Sequence, residues 1–203
     1  MQWGQIIDIH AGSATDDPHN AEERRLAQLI GARLVMFLGK NSTLDDDDWQ
    51  GLFGWLCLSV PEEAQGSRRY SDYAPALKQW WADNTAEMDP TAPIGGPLIT
   101  LCELVAELLQ LRPLETQLMT FSLLWLRHPQ MNPILTCVEE TRAKKLLTQL
   151  TGHSSDEVEH CLQERSRLKM LGLLRSHRSN HGLSALDMDD VLLAGPYCAA
   201  WRR

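Results

Sequence analysis

Cysteine and histidine are the side chains with which this chain could perform metal or nucleophilic chemistry. Neither a CxxC nor an HExxH pattern occurs in the 203 residues, although these are spacings at which paired ligands hold zinc. His177 and His181 are neighbours in a polar stretch. A third ligand would have to come from Cys161 or His153, and neither completes a zinc-site spacing. We therefore predict no metal site.

Nucleophilic catalysis would need a Cys or Ser beside a His and an orienting acid. The cysteines are spread through apolar sequence and are predicted to be reduced core thiols; they are Cys57, Cys102, Cys137, Cys161 and Cys198. His160 and Cys161 are adjacent, so on a helix their side chains would point about 100° apart. We predict that the chain is not an enzyme. An enzyme with no recognisable motif remains the last functional alternative.

Nucleotide and calcium sites can also be judged by spacing. The string FLGKNS, residues 37–42, lacks the upstream glycine of a phosphate-binding loop, and Asn41 occupies the Ser/Thr position. We expect no ATP hydrolysis and no cofactor. The run Asp45–Asp48 lacks the alternating ligands and the final Glu of a calcium loop. Its acids suit the first turn of a helix capped at Ser42 or Thr43.

Apolar residues at helical spacing run through most of the chain, and prolines, glycines and capping residues divide them. The first helix is predicted at 21–38, capped by Asn20 and stopped by Gly39. The following helices are predicted from the 42–43 cap to Pro61, at 75–83, at 98–111, from Pro113 to Pro129, and from Pro133 to Gly152 with a break near Cys137.

Residues 89–97, with the sequence DPTAPIGGP, are the clearest interruption of this pattern. Three prolines and two glycines in nine residues cannot continue a helix or a central strand. We place a domain boundary there, with an acidic helical lobe at 1–92 and a helical plus winged-helix-like lobe at 93–203. The predicted fold class is mainly α, a helical bundle lobe followed by a winged-helix-like lobe with a small two-stranded wing.

The stretch 141–186 has the order of helix, turn, helix and hairpin that is typical of a winged helix. Gly152 can adopt the positive φ of a helix C-cap. Ser154 and Glu157 have the spacing of a capping box, which starts the second helix. The wing would consist of a strand, a polar turn and a returning strand, at 171–174, 175–182 and 183–186.

A family resemblance rests on the same region. The run from PLETQLMTFSLLWLRHP through LLTQLTGHSSDEVEHCLQERSRLKMLGLLRS resembles the N-terminal helical and winged-helix region that precedes the ATPase core in a group of bacterial AAA+ ATPases. The similarity covers about 113–195 and depends on the hydrophobic pattern, the Ser-Asp-Glu-Val start at 155–158 and the Gly-Leu-Leu end at 172–174. The resemblance implies an accessory module without the ATPase core, which holds a partner, a substrate or nucleic acid.

Charge is unevenly distributed along the chain, whose net charge is −8. Residues 141–203 hold ten Lys and Arg and seven Asp and Glu, a net of +3, which leaves −11 for 1–140. The second helix of the winged-helix region carries four acids between 156 and 164, where DNA would enter. Phosphate contacts would have to come from cations around it. The candidate residues for binding nucleic acid or a partner are Arg142, Lys144, Lys145, Arg165, Arg167, Lys169, Arg175, His177 and Arg178.

Protein is the partner class that the composition favours. A negative net charge disfavours a surface that coats nucleic acid or anionic membrane. Seven tryptophans exceed what a small core needs, and Trp is favoured at interface anchors. We predict a non-catalytic interaction or adaptor module, which binds a protein such as an ATPase or another effector through apolar and Trp-bearing helices and the winged-helix surface. A winged-helix DNA-binding regulator is the alternative.

The start of the chain and its apolar runs bear on location. The N-terminus lacks the basic start and the apolar run of a signal peptide. No apolar stretch approaches the ~20 residues that cross a bilayer. The sequence therefore predicts a cytoplasmic protein without a membrane partner.

Overall fold

Helices form every regular element in the part of the chain that the computed structural model describes, which comprises residues 18–86, 96–138, 140–163, 165–171 and 173. The α-helices are α1 (Pro18–Leu38), α2 (Asp46–Trp55), α3 (Tyr70–Thr85), α4 (Pro97–Leu109), α5 (Pro113–Arg127), α6 (Asn132–Thr136), α7 (Glu140–Thr151), α8 (Ser155–Leu162) and α9 (Arg167–Met170). Short 3-10 helices span Gly39–Asn41, Glu62–Ala64 and Pro129–Met131. The prediction of a mainly α fold is confirmed for these residues. None of these helices is long and apolar enough to cross a lipid bilayer.

The predicted wing falls almost entirely outside the described residues. The one-turn helix α9 follows α8, and no strand occurs between residue 18 and residue 173 in the described ranges. The strands expected at 171–174 and 183–186 therefore stay a prediction.

The central helix of the fold is α1. It contacts α3, α4, α5, α6 and α7, and Ala27, Ala32 and Leu34 are fully buried along it. Buried apolar side chains from before and after residues 87–95 belong to one hydrophobic cluster. Residues 87–95 lie outside the described residues, and the division into lobes 1–92 and 93–203 stays a prediction.

Several helix ends confirm the signals read from the sequence. Pro113 occupies the first position of α5, and the helical run that follows Pro129 breaks at Cys137 as expected. Gly152 has a φ of +72° after the end of α7. Ser154 and Glu157 form the expected capping box, in which the Ser154 N–H donates to Glu157 Oε2 at 2.9 Å and the Glu157 N–H donates to Ser154 Oγ at 3.3 Å.

The starts of the first three helices differ from the prediction. α1 begins at Pro18, before the expected Asn20 cap. α2 is capped by Asp45 instead of Ser42 or Thr43. The physical reason is that the Asp45 carboxylate accepts the backbone N–H of Asp48 at 2.9 Å, and the two aspartates form a capping box of their own. α3 begins five residues before Pro75, which lies inside the helix beyond its first turn.

The close approach of α1 to Trp55 depends on a glycine. A Cβ atom added at Gly31 would lie 2.7 Å from Cζ3 of the Trp55 ring, nearer than real Cβ contacts allow. The Trp55 ring is buried and cannot swing away into solvent. Gly31 is therefore required by packing, although glycine weakens the interior of a helix.

We expect Gly31→Ala to lower the free energy of unfolding by about 1 kcal/mol. Overpacking costs roughly 1–3 kcal/mol, and the higher helix propensity of Ala returns roughly 0.8–1 kcal/mol of it. Urea unfolding measures the change. The matched control is Gly51→Ala in α2, where an added Cβ would meet nothing within 4 Å. The free energy of unfolding of Gly51→Ala should rise by roughly 0.5–1 kcal/mol. A change in the free energy of unfolding that has the same sign in both variants would contradict the prediction.

Candidate partner-binding surface

An exposed row of leucines runs along α4. Leu101, Leu104 and Leu108 are 52%, 59% and 81% exposed. They are three and four residues apart and therefore share one face of the helix. Leu98 and Cys102 lie on another side of α4 and are buried in the core. Helix α4 is thus apolar around most of its circumference, and the described residues cover only part of it.

Both ends of α4 are fixed by local structure. Pro97 occupies the first helical position, where a missing N–H costs nothing. At the other end Gln110 has a left-handed φ of +50°, and its N–H donates to the Glu107 carbonyl at 3.1 Å. Arg167 donates to the carbonyl oxygens of Leu109 and Gln110, the latter at 2.7 Å. A cation is favourable at a helix C-terminus, so Arg167 anchors α9 against this end of α4.

Two more exposed apolar side chains lie at the end of α9 and directly after it. Met170 is 74% exposed and Leu171 is 42% exposed. Met170 lies three residues after Arg167 in α9 and therefore shares a face with it. Arg167 links α9, which carries this second apolar group, to the C-terminal end of α4.

The leucine row has an acidic border. Glu103 and Glu107 are exposed and four residues apart, so they form a second row beside Leu104 and Leu108. Neither carboxylate has an ion-pair partner in the described part of the chain. The surface therefore combines an uncovered apolar face with uncompensated negative charge. Such a combination suits a ligand with an apolar face and a basic border.

Sequence reasoning predicted a helix at 98–111 but did not identify its exposed leucine face. The signal was present in the composition of α4. Its thirteen residues, PLITLCELVAELL, include only two charged side chains, and apolar residues occur at more positions than one buried face can hold. An apolar helix of that kind needs cover on more than one side.

The described tryptophans lie on α2, α3 and α5 and not on α4, and their expected role as interface anchors stays a prediction. Trp49, Trp55 and Trp80 are buried, and Trp81 and Trp125 are half-buried against the core. Three of the five described tryptophans are thus core residues, and the other two remain partly accessible. The exposed apolar residues are leucines and a methionine instead.

Six of the nine predicted cationic residues lie in the described part of the structure. Outside the described residues lie Arg175, His177 and Arg178. The Lys144 ammonium pairs with the Glu159 carboxylate of α8, and Arg167 is occupied at the end of α4. Those two cations are thus used to join helices.

The other four described candidates lie either on α7 or after the end of α8. Arg142 and Lys145 line a small pocket beside the end of α1. Arg165 is exposed and Lys169 is half-buried, and both lie after α8. The role of these residues in binding nucleic acid or a partner stays a prediction.

The outer side of α8, the presumed recognition helix, is acidic. Asp156, Glu157 and Glu159 are exposed on it. Hydrogen bonds from the Ser154 hydroxyl at 2.7 Å and the Ser154 N–H at 2.9 Å lower the pKa of the Glu157 carboxyl. Acidic side chains in this position would repel the phosphates beside a major groove.

A buried ion cluster joins α1 to the end of α5. The Glu23 side chain is 3% exposed, and its Oε1 lies 2.6 Å from Arg127 Nε and 3.3 Å from His128 Nε2. The His128 contact has the distance of an ion pair but not the direction of a good hydrogen bond. Burial raises the pKa of the Glu23 carboxyl, whereas His128 and Arg127 lower it, with a net result below the ordinary value.

The buried thiols are poorly suited to nucleophilic chemistry. Burial raises the pKa of Cys102, and the negative charges of Glu103 and Glu23 add to the effect. Burial likewise raises the pKa of Cys161, and Glu115 contributes. A raised pKa keeps the thiol protonated, whereas the thiolate is the nucleophile.

Neither a metal-binding group nor a known relative accompanies this surface. Among the described residues, no three His, Cys, Asp or Glu side chains are grouped so that they could hold a metal ion. Comparison of the chain with protein-family profiles, with curated proteins and with solved structures finds no match in any of the three.

Proposed function

We propose that this chain is a non-catalytic adaptor whose α4 face binds an amphipathic helix of a partner protein with a basic border. The observation that carries the proposal is the exposure of Leu101, Leu104 and Leu108 on one face of one helix. Their spacing matches the way in which a helical ligand places its own apolar residues at i, i+3, i+4 and i+7. Full burial of one such leucine contributes roughly 1.5–3 kcal/mol.

The acidic side chains beside the leucine row determine which kind of partner helix fits this face. Glu103 and Glu107 border the leucine row without a cationic partner among the described residues. A partner with Lys or Arg along the matching border would gain complementary contacts, and an acidic helix would be repelled.

A second copy of the chain fits this face less well. A symmetric dimer would place the same patch on both sides of the interface. The acidic borders of the two copies would then lie near each other without compensation, and the −8 net charge of each copy adds to the repulsion. The charge pattern thus favours a different protein over self-association.

The winged-helix architecture and the family resemblance enter the same proposal. We propose that α7, the turn at Gly152 and α8 are the helix-turn-helix of a winged helix, with 171–186 as its wing. The capping box and the buried Val158 and Cys161 support the arrangement of the two helices. The likeness to the region before the core of bacterial AAA+ ATPases favours an ATPase or another effector as the partner.

DNA binding is the weaker reading of the same helices. The acids of α8 face outward, and Lys144 is already paired with Glu159. Affinity for DNA comes mainly from neutralised phosphates. The described surface offers few cations for that purpose, so duplex DNA serves as a comparison probe in the test.

Synthetic helices test the proposal. Two fluorescein-labelled 18-residue peptides would share one leucine seam and differ only in its border, with Lys in one and Glu in the other. By fluorescence anisotropy we expect a Kd of roughly 1–100 μM for the Lys peptide, since part of the apolar gain offsets the cost of association. The Glu peptide should bind about fivefold more weakly, and a short DNA duplex should not compete.

Substitutions on α4 locate the binding. Leu104→Asp should weaken binding of the Lys peptide at least about tenfold, which corresponds to about 1.4 kcal/mol. Because Leu104 is largely exposed, the fold should persist, as circular dichroism can verify. The matched control is Gln117→Asp, which adds the same charge at an exposed position of α5 and should change little. Glu103→Lys with Glu107→Lys should reverse the preference between the two peptides.

Two results would overturn the proposal. One is equal affinity of the wild type and Leu104→Asp for the Lys peptide. The other is a dimer, detected by sedimentation equilibrium, that Leu104→Asp dissociates, because it would assign the face to a second copy of the chain.

A further inference from the structure

The leucine row of α4 is open to a cover from within the same chain. Leu101, Leu104 and Leu108 are each more than half exposed. An apolar segment held nearby would gain by contact with them, because burial of apolar surface contributes roughly 25 cal/mol per Å². Glu103 and Glu107 add a condition, since a cover without cations would leave both exposed carboxylates uncompensated. A cover from the chain itself must therefore be both apolar and basic.

Charge distinguishes the long stretches of sequence that lie outside the described residues, which are 1–17, 87–95 and 174–203. The first two contain acidic residues and neither Lys nor Arg. In the third, residues 174–186 contain Arg175 and Arg178 and no acid, and the acids begin at Asp187. Only 174–186 thus has the charge that suits the acidic border of α4.

The same segment also carries apolar side chains. Its sequence, LRSHRSNHGLSAL, contains Leu174, Leu183 and Leu186. Leucines and arginines therefore occur together within thirteen residues. This is the combination that the proposed partner helix needs, and it forms the greater part of the proposed wing.

The last described residues are tied to the C-terminal end of α4. Arg167 donates to the Gln110 carbonyl oxygen at 2.7 Å. The Leu173 N–H donates to the Leu168 carbonyl oxygen at 2.8 Å, which holds Leu173 beside the residue that follows Arg167. Residues 174–186 therefore start from a part of the fold that is joined to α4.

The segment is long enough to reach along α4. Thirteen extended residues span roughly 40 Å, whereas Leu101 and Gln110 are about 14 Å apart along the helix axis. Attachment to the fold gives the segment a local concentration on the order of 1 mM. A contact with a Kd of about 0.2 mM for a separate peptide would then be closed for roughly 80% of the time.

We propose that residues 174–186 bind to the leucine row of α4 and compete there with the partner helix. Arg175 and Arg178 would pair with the acidic border, and the leucines of the segment would lie against those of α4. The competition rests on the proposed function of this face, whereas the contact between segment and helix does not. A partner must then displace the segment, so a helix with a weaker leucine seam or fewer cations is excluded.

A thiol at position 108 measures the cover without any partner. The full-length Leu108→Cys variant is alkylated with iodoacetamide, an uncharged reagent, at about pH 9, where an exposed thiol is mostly ionised. Mass spectrometry of tryptic peptides gives the rate at this position relative to that at Cys57, which is exposed and lies just after α2. Adding Arg175→Glu and Arg178→Glu should raise the relative rate about threefold or more, because the acidic border then repels the segment.

A charge reversal outside the segment is the matched control. Arg202→Glu with Arg203→Glu makes the same change in net charge and should leave the relative rate unchanged. The competition is measured with the Lys-bordered peptide. Reversal of Arg175 and Arg178 in the otherwise wild-type chain should tighten its binding about threefold or more, since the segment no longer competes.

The two measurements fail separately. Equal alkylation rates with and without the reversal of Arg175 and Arg178 would overturn the inference and leave the partner-binding proposal intact. A relative rate that falls as the protein concentration rises would also overturn it, because the cover would then be a second copy of the chain. If neither protein binds the Lys-bordered peptide, the partner-binding proposal fails, while a raised alkylation rate would still support the contact between 174–186 and α4.

Discussion

Replacing Arg127 with Met is expected to lower the free energy of unfolding by about 3 kcal/mol at pH 7, because it leaves a buried carboxylate without its nearest charge. Arg127 Nε is 2.6 Å from Glu23 Oε1, and the Glu23 side chain is almost completely buried. A buried charge that loses its closest partner has little water to compensate it, and His128 at 3.3 Å is the remaining contact. Urea unfolding followed by tryptophan fluorescence would measure the loss.

The pH dependence of this loss identifies the Glu23 carboxyl as its source. In the wild type, burial raises the pKa of Glu23, but His128 and Arg127 lower it more. A carboxyl with a lowered folded-state pKa contributes stability above its unfolded pKa, and this is lost as the pH falls through the folded pKa. Without Arg127, burial raises the pKa of Glu23 with less opposition from positive charge, so Glu23 should bind a proton at higher pH. The difference between the two proteins should therefore shrink as the pH falls from 7 through about 4.3, the ordinary pKa of Glu.

A neighbouring arginine provides the control. Arg24 is exposed on α1 beside Glu23 in sequence, and Arg24→Met should change the free energy of unfolding by less than about 0.5 kcal/mol. Adding Glu23→Gln to Arg127→Met should recover part of the loss, because the unpaired charge is then removed. Equal losses from Arg24→Met and Arg127→Met, or a loss that does not vary with pH, would contradict the assignment.

Signals that act within one turn of the chain were predictable from the sequence. Pro113, Gly152 and Ser154 each fix a helix end through a backbone angle or a hydrogen bond to residues nearby. Hydrophobic periodicity predicted the mainly α fold for the same reason, since it reports which side of each helix is apolar. The error at Asp45 was also local, because two aspartates formed the capping box that Ser42 or Thr43 was expected to supply.

Contacts between distant segments could not be predicted in this way. The pairing of Glu23 with Arg127 and the use of Arg167 at the end of α4 depend on how helices are arranged in space. The leucines of α4 show the same limit. Leu104 is exposed and Leu118 of α5 is buried, although residue type and helical spacing do not distinguish them. Periodicity indicates an apolar face but does not indicate what covers it.

Trp49→Ala should lower the free energy of unfolding by about 4 kcal/mol, within the roughly 3–5 kcal/mol that removal of a buried Trp costs. The Trp49 ring is fully buried and stacks on the Tyr73 ring with centroids 4.2 Å apart. Its edge faces the Phe53 ring at 6.4 Å. The Tyr73 hydroxyl lies 2.8 Å from the Ala64 carbonyl oxygen, to which it donates. Trp49 thus joins α2 to α3, and its loss would leave a cavity between them.

A second substitution at Trp49 separates a core role from the interface role that the sequence had suggested. Trp49 Nε1 is buried without a hydrogen-bond partner, so Trp49→Phe removes an unsatisfied donor together with part of the ring. We expect Trp49→Phe to lower the free energy of unfolding by only about 1–2 kcal/mol. That variant should therefore fold well enough for binding measurements. It should bind the Lys-bordered peptide as the wild type does, because Trp49 is buried and is not part of the α4 face. Unchanged stability of Trp49→Ala, together with lost peptide binding by Trp49→Phe, would instead make this tryptophan an interface anchor.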